Sequence, residues 1–153
     1  MKAKLSVLLF LFAIMAYSDE TSFMLPIAFD NAQVNQLVIG CHEDATDGYD
    51  RGRDIYVPPF GMGTGTIGII VDEKNPNKLY KDIRSRNLPQ TWRIDCKPAK
   101  KPLVMHWSKA ELPPGLQFKA TSSNGRVTDM NAVFRLQISK ADVITITVSP
   151  IAK

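Results

Sequence analysis

Short runs of apolar residues, separated by turn residues, repeat along the chain from residue 23 onward. In several runs apolar and polar side chains alternate, so that Leu103, Met105 and Trp107 share one face. No window after residue 18 keeps a helical period for three turns. The pattern predicts ten β-strands, at residues 23–29, 36–40, 65–71, 79–84, 91–97, 103–107, 116–120, 126–129, 133–139 and 143–149.

Turn residues between the predicted strands indicate how the strands connect. Asn124-Gly125 predicts a tight β-hairpin between strands 116–120 and 126–129. Pro26 has no backbone N–H to donate, which predicts an edge position for the first strand. Many short strands without intervening helices are typical of an antiparallel β-sandwich. We therefore expect an all-β chain that forms a single sandwich domain.

The first eighteen residues have the composition of a secretory signal peptide. Lys2 and Lys4 precede the apolar run 5–16, and Ala16 and Ser18 are small residues at the two positions that a signal peptidase reads. The run is too short to span a bilayer, and no later segment approaches that length. We expect a signal peptide at 1–18, one domain at 19–153 without a transmembrane anchor, and secretion to the periplasm or the extracellular space.

The net charge argues against one class of partner. The whole chain carries +4, but removal of Lys2 and Lys4 lowers the Lys and Arg count from 19 to 17 against 15 acidic residues, a net charge of +2. Proteins that bind nucleic acid or an anionic membrane surface carry larger basic patches. We therefore expect no nucleic-acid partner.

Two cysteines, Cys41 and Cys96, belong to the predicted domain. In an exported protein their expected state is a disulfide, which would stabilise the fold by about 4 kcal/mol in the chain-entropy model. Two buried free thiols are the alternative. The chain has no C-x-x-C pair, and adjacent Cys41 and His42 would point in opposite directions in a strand, so we expect no zinc site.

Acidic residues are concentrated in the segment 40–59, which we call the acidic loop. Four of its carboxylates could supply oxygen ligands to Ca²⁺, although their spacing does not fit an EF-hand loop. In the other interpretation, the carboxylates accept hydrogen bonds from backbone N–H groups of the loop, and Arg51 and Arg53 pair with the remaining charge. Both interpretations stay open here. The candidate calcium ligands are Asp44, Asp47, Asp50 and Asp54.

The acidic loop also carries the motif G-x4-A-T-D-G-Y-D-x-G-x-D-x3-P-P, from Gly40 to Pro59. With further short motifs in the same order downstream, the chain resembles an uncharacterised family of modules in secreted and surface-attached bacterial proteins, from Phe23 to Val148. The resemblance implies an immunoglobulin-like β-sandwich without a known catalytic centre. It says little about function, because one fold serves many functions.

Aromatic residues in and beside the acidic loop are the candidate ligand-binding side chains. Tyr49, Tyr56 and Phe60 occupy a turn-rich segment, where side chains are free to contact a glycan or a protein. Trp92 and Trp107 lie in predicted strands, so we expect them in the core and not in a sugar-binding platform.

We expect a non-catalytic protein. His42 and His106 are the only histidines, and no nucleophile motif accompanies them. The leading hypothesis is an exported module with a structural or interaction role at or outside the cell surface, whose partner is an unidentified protein or glycan. Two alternatives are a carbohydrate-binding module and a subunit of an extracellular fibre, in which segment 23–29 would complete a neighbour's sheet.

Overall fold

The computed structural model of the chain describes residues 22–58 and 64–152. The predicted signal peptide at 1–18 and the side chain of Phe60 lie outside the described residues. The described residues form eleven strands and one 3-10 turn at Lys109–Glu111, which confirms the all-β prediction. The strands are β1 Phe23–Asp30, β2 Gln36–Cys41, β3 Ile55–Tyr56, β4 Thr66–Ile70, β5 Lys78–Arg84, β6 Gln90–Lys97, β7 Leu103–His106, β8 Leu116–Thr121, β9 Val127–Asp129, β10 Arg135–Ile138 and β11 Asp142–Pro150.

All ten predicted strands are present, and their ends differ from the prediction by at most two residues. The period-two pattern works because one side of each strand faces the core: in β11, Ile144, Ile146 and Val148 are buried. The predicted hairpin is also confirmed, since β8 and β9 pair antiparallel and Gly125 takes the positive φ of 86° that the turn requires. The two-residue strand β3, inside the acidic loop, has no counterpart in the prediction.

The described strands belong to one mixed sheet with the order β10-β7-β1-β2-β5-β4-β6-β11-β8-β9, and β3 pairs with β5 outside this path. The prediction of a purely antiparallel arrangement is wrong for one pair, because β2 and β5 run parallel. Parallel neighbours need a long connection, and residues 42–77, which include most of the acidic loop, β3 and β4, provide it.

The sheet is strongly curled around its core. The Phe23 ring on β1 makes edge contacts with Trp92 on β6 and with Phe118 on β8, at centroid distances of 6.4 and 5.5 Å. In a flat sheet, β1 and β8 would lie roughly 29 Å apart, because they are separated by six inter-strand spacings. The two halves of the sheet therefore pack against each other through their apolar faces.

The two outermost strands are also brought together. β9 and β10 stand at opposite ends of the strand order, yet only residues 130–134 join them, a length that spans at most about 20 Å. Trp107, which follows β7, is buried and donates its indole N–H to the Met130 carbonyl at 2.9 Å. This bond ties the connection between β9 and β10 to the core.

The edge position predicted for the first strand is wrong for part of that strand. Residues 23–28 of β1 pair with β2, and residues 28–30 also pair with β7 on the other side. Pro26 lies in the half of the strand whose only strand partner among the described residues is β2. The Phe29 N–H bonds the Asn35 carbonyl on the β2 side at 2.8 Å, so alternation points the Pro26 nitrogen away from β2, where it costs no ladder bond. Within the described residues, no helix is long and apolar enough to cross a membrane.

The predicted Cys41–Cys96 disulfide is wrong: both cysteines are free, and both are buried. Cys41 lies on β2 and Cys96 on β6, and β5 and β4 lie between these two strands. Three inter-strand spacings amount to about 14 Å across the sheet, and the strand registers offset the two cysteines further along the strands. A disulfide requires Cα atoms within about 7 Å. The curled sheet therefore buries the two cysteines in separate places.

Both thiols should be unreactive in the folded protein and free in the unfolded one. Burial raises the pKa of Cys41 and of Cys96 to about 12, so almost no thiolate is present at neutral pH. A thiol assay on protein that was never exposed to reductant should find no reactive group in native buffer and both thiols in denaturant. A bridge would be indicated if denatured protein gave thiols only after reduction.

Candidate functional site

The acidic loop is held in place by its own aspartates. Asp50 accepts hydrogen bonds from the backbone N–H of Thr46 at 2.6 Å and from its hydroxyl at 2.9 Å. Asp54 in turn accepts the backbone N–H of Asp50 at 2.6 Å. Asp and Asn side chains often satisfy turn amides in this way. The two carboxylates therefore form a relay that fixes residues 46–54.

The same aspartates attach the loop to the sheet. The second oxygen of Asp54 accepts the backbone N–H of Ile83, on β5, at 2.9 Å, and Asp54 is only 4 % exposed. Asp47 accepts the Ser85 hydroxyl and the Gln90 amide, both at 2.7 Å. These bonds, the one from Ser85 first, hold the pKa of Asp47 below its usual value. The loop is thus joined to β5, to the turn after it and to the start of β6.

The four predicted calcium ligands turn to different partners. Asp47, Asp50 and Asp54 accept N–H or O–H groups, as described, whereas the exposed Asp44 faces Arg53 at 3.5 Å. Among the described residues, no group of three or more His, Cys, Asp or Glu side chains is placed to hold a metal ion. The residues present therefore fit the self-capped interpretation, and calcium binding stays an untested prediction.

A buried ion pair beside the acidic loop was not expected from the sequence. Asp82 on β5 is almost fully buried and accepts the Arg84 Nε–H at 3.0 Å. Arg84 also donates to the Thr91 carbonyl at 2.6 Å, and its guanidinium lies over the Trp92 ring. Alternation in a strand places Asp82 and Arg84 on the same side, and this spacing is the sequence pattern from which the ion pair could have been predicted. It does not distinguish a buried pair from a solvated one.

Burial raises the pKa of Asp82 to about 6, against the opposing effect of Arg84, and Asp54 and Asp50 add to the rise. Because this pKa lies above that of an unfolded Asp, the folded chain binds more protons at intermediate pH. Protonation of Asp82 therefore stabilises the folded state. This stabilisation is fully present below about pH 4 and is lost as the pH rises through about 6.

An Asp82→Asn variant isolates this contribution. Relative to the variant, wild type should lose about 3 kcal/mol of unfolding free energy between about pH 4 and pH 7. The measurement is urea denaturation of both proteins across that range. A stability difference that does not change with pH would show that Asp82 titrates as an ordinary surface carboxylate.

The exposed side of the acidic loop carries two of the three predicted ligand-binding aromatics. Tyr49 and Tyr56 stack on each other with ring centroids 4.9 Å apart and planes 23° from parallel. They are 42 % and 38 % exposed, and neighbouring Ile55 is also exposed. The structure thus brings Tyr49 and Tyr56 together on the surface, while Phe60 is outside the described residues.

Comparison with known proteins adds no assignment, since no protein-family model, curated protein or solved structure matches the chain.

Proposed function

We propose that the chain is an exported, non-catalytic interaction module of the immunoglobulin-like β-sandwich type that its motif resembles, and that it acts at or outside the cell surface. The leader-like composition of residues 1–18 supports export. The curled sheet with two packed halves is compatible with a sandwich-type fold. The observation that carries the binding role is the exposed stack of Tyr49 and Tyr56 on a fixed loop.

Exposed apolar side chains are informative when they are clustered and rigid. Tyr49 and Tyr56 form such a cluster, because their rings stack while both stay partly exposed, and neighbouring Ile55 is exposed as well. The aspartate hydrogen bonds fix the backbone that carries them, so little conformational entropy is lost when a partner binds. Tyrosines in such a setting supply contact area together with a hydrogen-bonding hydroxyl.

The test measures whether the purified protein is retained on cells of its source strain from which the gene has been deleted. Wild type should be retained, and a Tyr49→Ser/Tyr56→Ser double variant should be lost from the cells. Val127→Ser is the matched control, because Val127 is a similarly exposed apolar residue on β9, outside the acidic loop. Equal retention of wild type and the double variant, or no retention of either, would refute the proposed role.

A glycan is one candidate partner, because partly exposed tyrosine rings can pack against a sugar ring. Retention on isolated cell-wall polysaccharide, reversed by soluble oligosaccharide and absent in Tyr56→Ala, would identify a carbohydrate-binding module. Retention on cells without retention on polysaccharide would favour a protein partner. A particle size that grows with concentration in light scattering would instead favour the fibre-subunit alternative.

A further inference from the structure

A second surface, separate from the tyrosine stack, has the features of a small-molecule site. The strand registers place Met24, Gly40 and Ile83 side by side on β1, β2 and β5. Met24 is 63 % exposed, so this row lies on the sheet face that points away from the core. Lys81, two residues before Ile83, shares that face.

A cleft of about 300 Å³ opens on this face. Met24 and Ile83 supply apolar side chains to its lining, and Gly52 and Arg53 of the acidic loop line it as well. Gly40 leaves no side chain between the strands; a Cβ there would lie 2.3 Å from the Phe23 carbonyl oxygen. The volume is at the lower limit for small-molecule sites, which suits a short ligand.

The charged groups that line the cleft are all of one sign. Arg53 and Lys81 are cationic, and none of the described lining residues is Asp or Glu. Lys81 has no hydrogen-bond or ion-pair partner within the described part of the chain. Arg53 contacts His42 at 3.0 Å and the exposed Asp44 at 3.5 Å, which leaves part of its guanidinium available.

The loop side of the cleft is preformed. Asp54 accepts the Ile83 N–H, and the Arg53 N–H donates to the Asp50 carbonyl at 3.1 Å, so the segment that carries Gly52 and Arg53 is tied to β5. A site whose wall is already ordered loses little entropy on binding. Apolar lining combined with the unpaired Lys81 ammonium and the partly engaged Arg53 guanidinium is complementary to an anion that carries a short apolar chain.

We propose that this cleft binds a short amphiphilic carboxylate, with its apolar chain on Met24 and Ile83 and its carboxylate held by Lys81 and Arg53. The inference goes beyond the proposed interaction role, because it concerns a different surface and a different class of ligand. Neither Tyr49 nor Tyr56 lines the cleft, so the two proposals can fail independently.

The test is calorimetric titration of the purified chain with octanoate, with octanol as the neutral analogue. Octanoate should bind, and octanol should bind about 10- to 100-fold more weakly, since it lacks the charge-assisted hydrogen bonds. Lys81→Gln should weaken octanoate binding by a similar factor. Lys119→Gln, a substitution of an exposed lysine on β8, is the matched control and should leave binding unchanged.

A second measurement locates the ligand. With carbon-13-labelled methionine methyl groups, octanoate should shift the Met24 signal and leave the buried Met130 signal in place. The proposal is overturned if octanoate does not bind, if octanol binds equally well, if Lys81→Gln binds like wild type, or if the Met24 methyl signal does not move.

Discussion

An Asp54→Ala variant should lose about 3–5 kcal/mol of unfolding free energy, because each charge-assisted hydrogen bond contributes about 1.5–3 kcal/mol. Asp54 is buried and accepts two backbone N–H groups, from Asp50 within the acidic loop and from Ile83 on β5. Removal of the carboxylate leaves both donors without a partner and removes one of the attachments of the loop to the sheet. The measurement is urea denaturation at neutral pH. The unfolding free energies of wild type and variant are compared with the same m-value for both proteins.

Two further variants separate this role from a general effect of charge. Asp44→Ala removes the same negative charge from the loop, but from an exposed aspartate. Because the ion pair of Asp44 with Arg53 is long, the substitution should cost less than about 1 kcal/mol of unfolding free energy. Asp54→Asn keeps one acceptor oxygen and should fall between the two. If Asp44→Ala and Asp54→Ala were equally mild, the relay of aspartates would not hold the loop.

Substitution Trp107→Ala should have an effect of similar size, about 3–5 kcal/mol, typical for a large buried aromatic side chain. Trp107 is buried in the core, and its indole N–H bonds the Met130 carbonyl in the connection between β9 and β10. Its loss creates a cavity and also frees the segment that brings the two outer strands together. Thermal and urea unfolding, followed by far-UV circular dichroism, measure the loss.

Trp107→Phe is the informative companion, because it keeps most of the apolar volume and removes only the N–H donor. It should cost about 1–3 kcal/mol, the penalty for a buried carbonyl left without its partner. A Phe variant as stable as wild type would show that the bond to Met130 does not contribute. An Ala variant that lost less than the Phe variant would contradict burial of Trp107 in the core.

Much of the fold can be predicted from local sequence pattern. All ten predicted strands form, since their buried positions recur every second residue, as Trp92, Ile94 and Cys96 do in β6. Asn124-Gly125 fixes the β8–β9 hairpin through backbone preferences that act within four residues. Strand pairing between distant segments leaves no such local trace. The antiparallel arrangement predicted for the whole sheet, which the parallel β2–β5 pair contradicts, and the edge position predicted for β1 were wrong for this reason.

The candidate site divides in the same way. The acidic loop was located by its composition, and the choice between calcium and backbone N–H partners depended on Ile83, Ser85 and Gln90, which are far away in the chain. The buried Asp82 and the cleft beside Lys81 required the tertiary structure, because only the curl and the loop decide which side of β5 is covered. The disulfide prediction failed for the same reason: export favours a bridge, but the strand order separates the cysteines.

Amide hydrogen exchange at Ile83 and Asp50, followed by NMR in calcium-free buffer, tests most directly whether carboxylates lock the acidic loop to the sheet. We expect slow exchange at both amides in wild type. Asp54→Ala should abolish it, while amides of the β6–β11 ladder stay protected. Fast exchange in wild type, or protection that appears only when about 1 mM calcium is added, would contradict the self-capped loop.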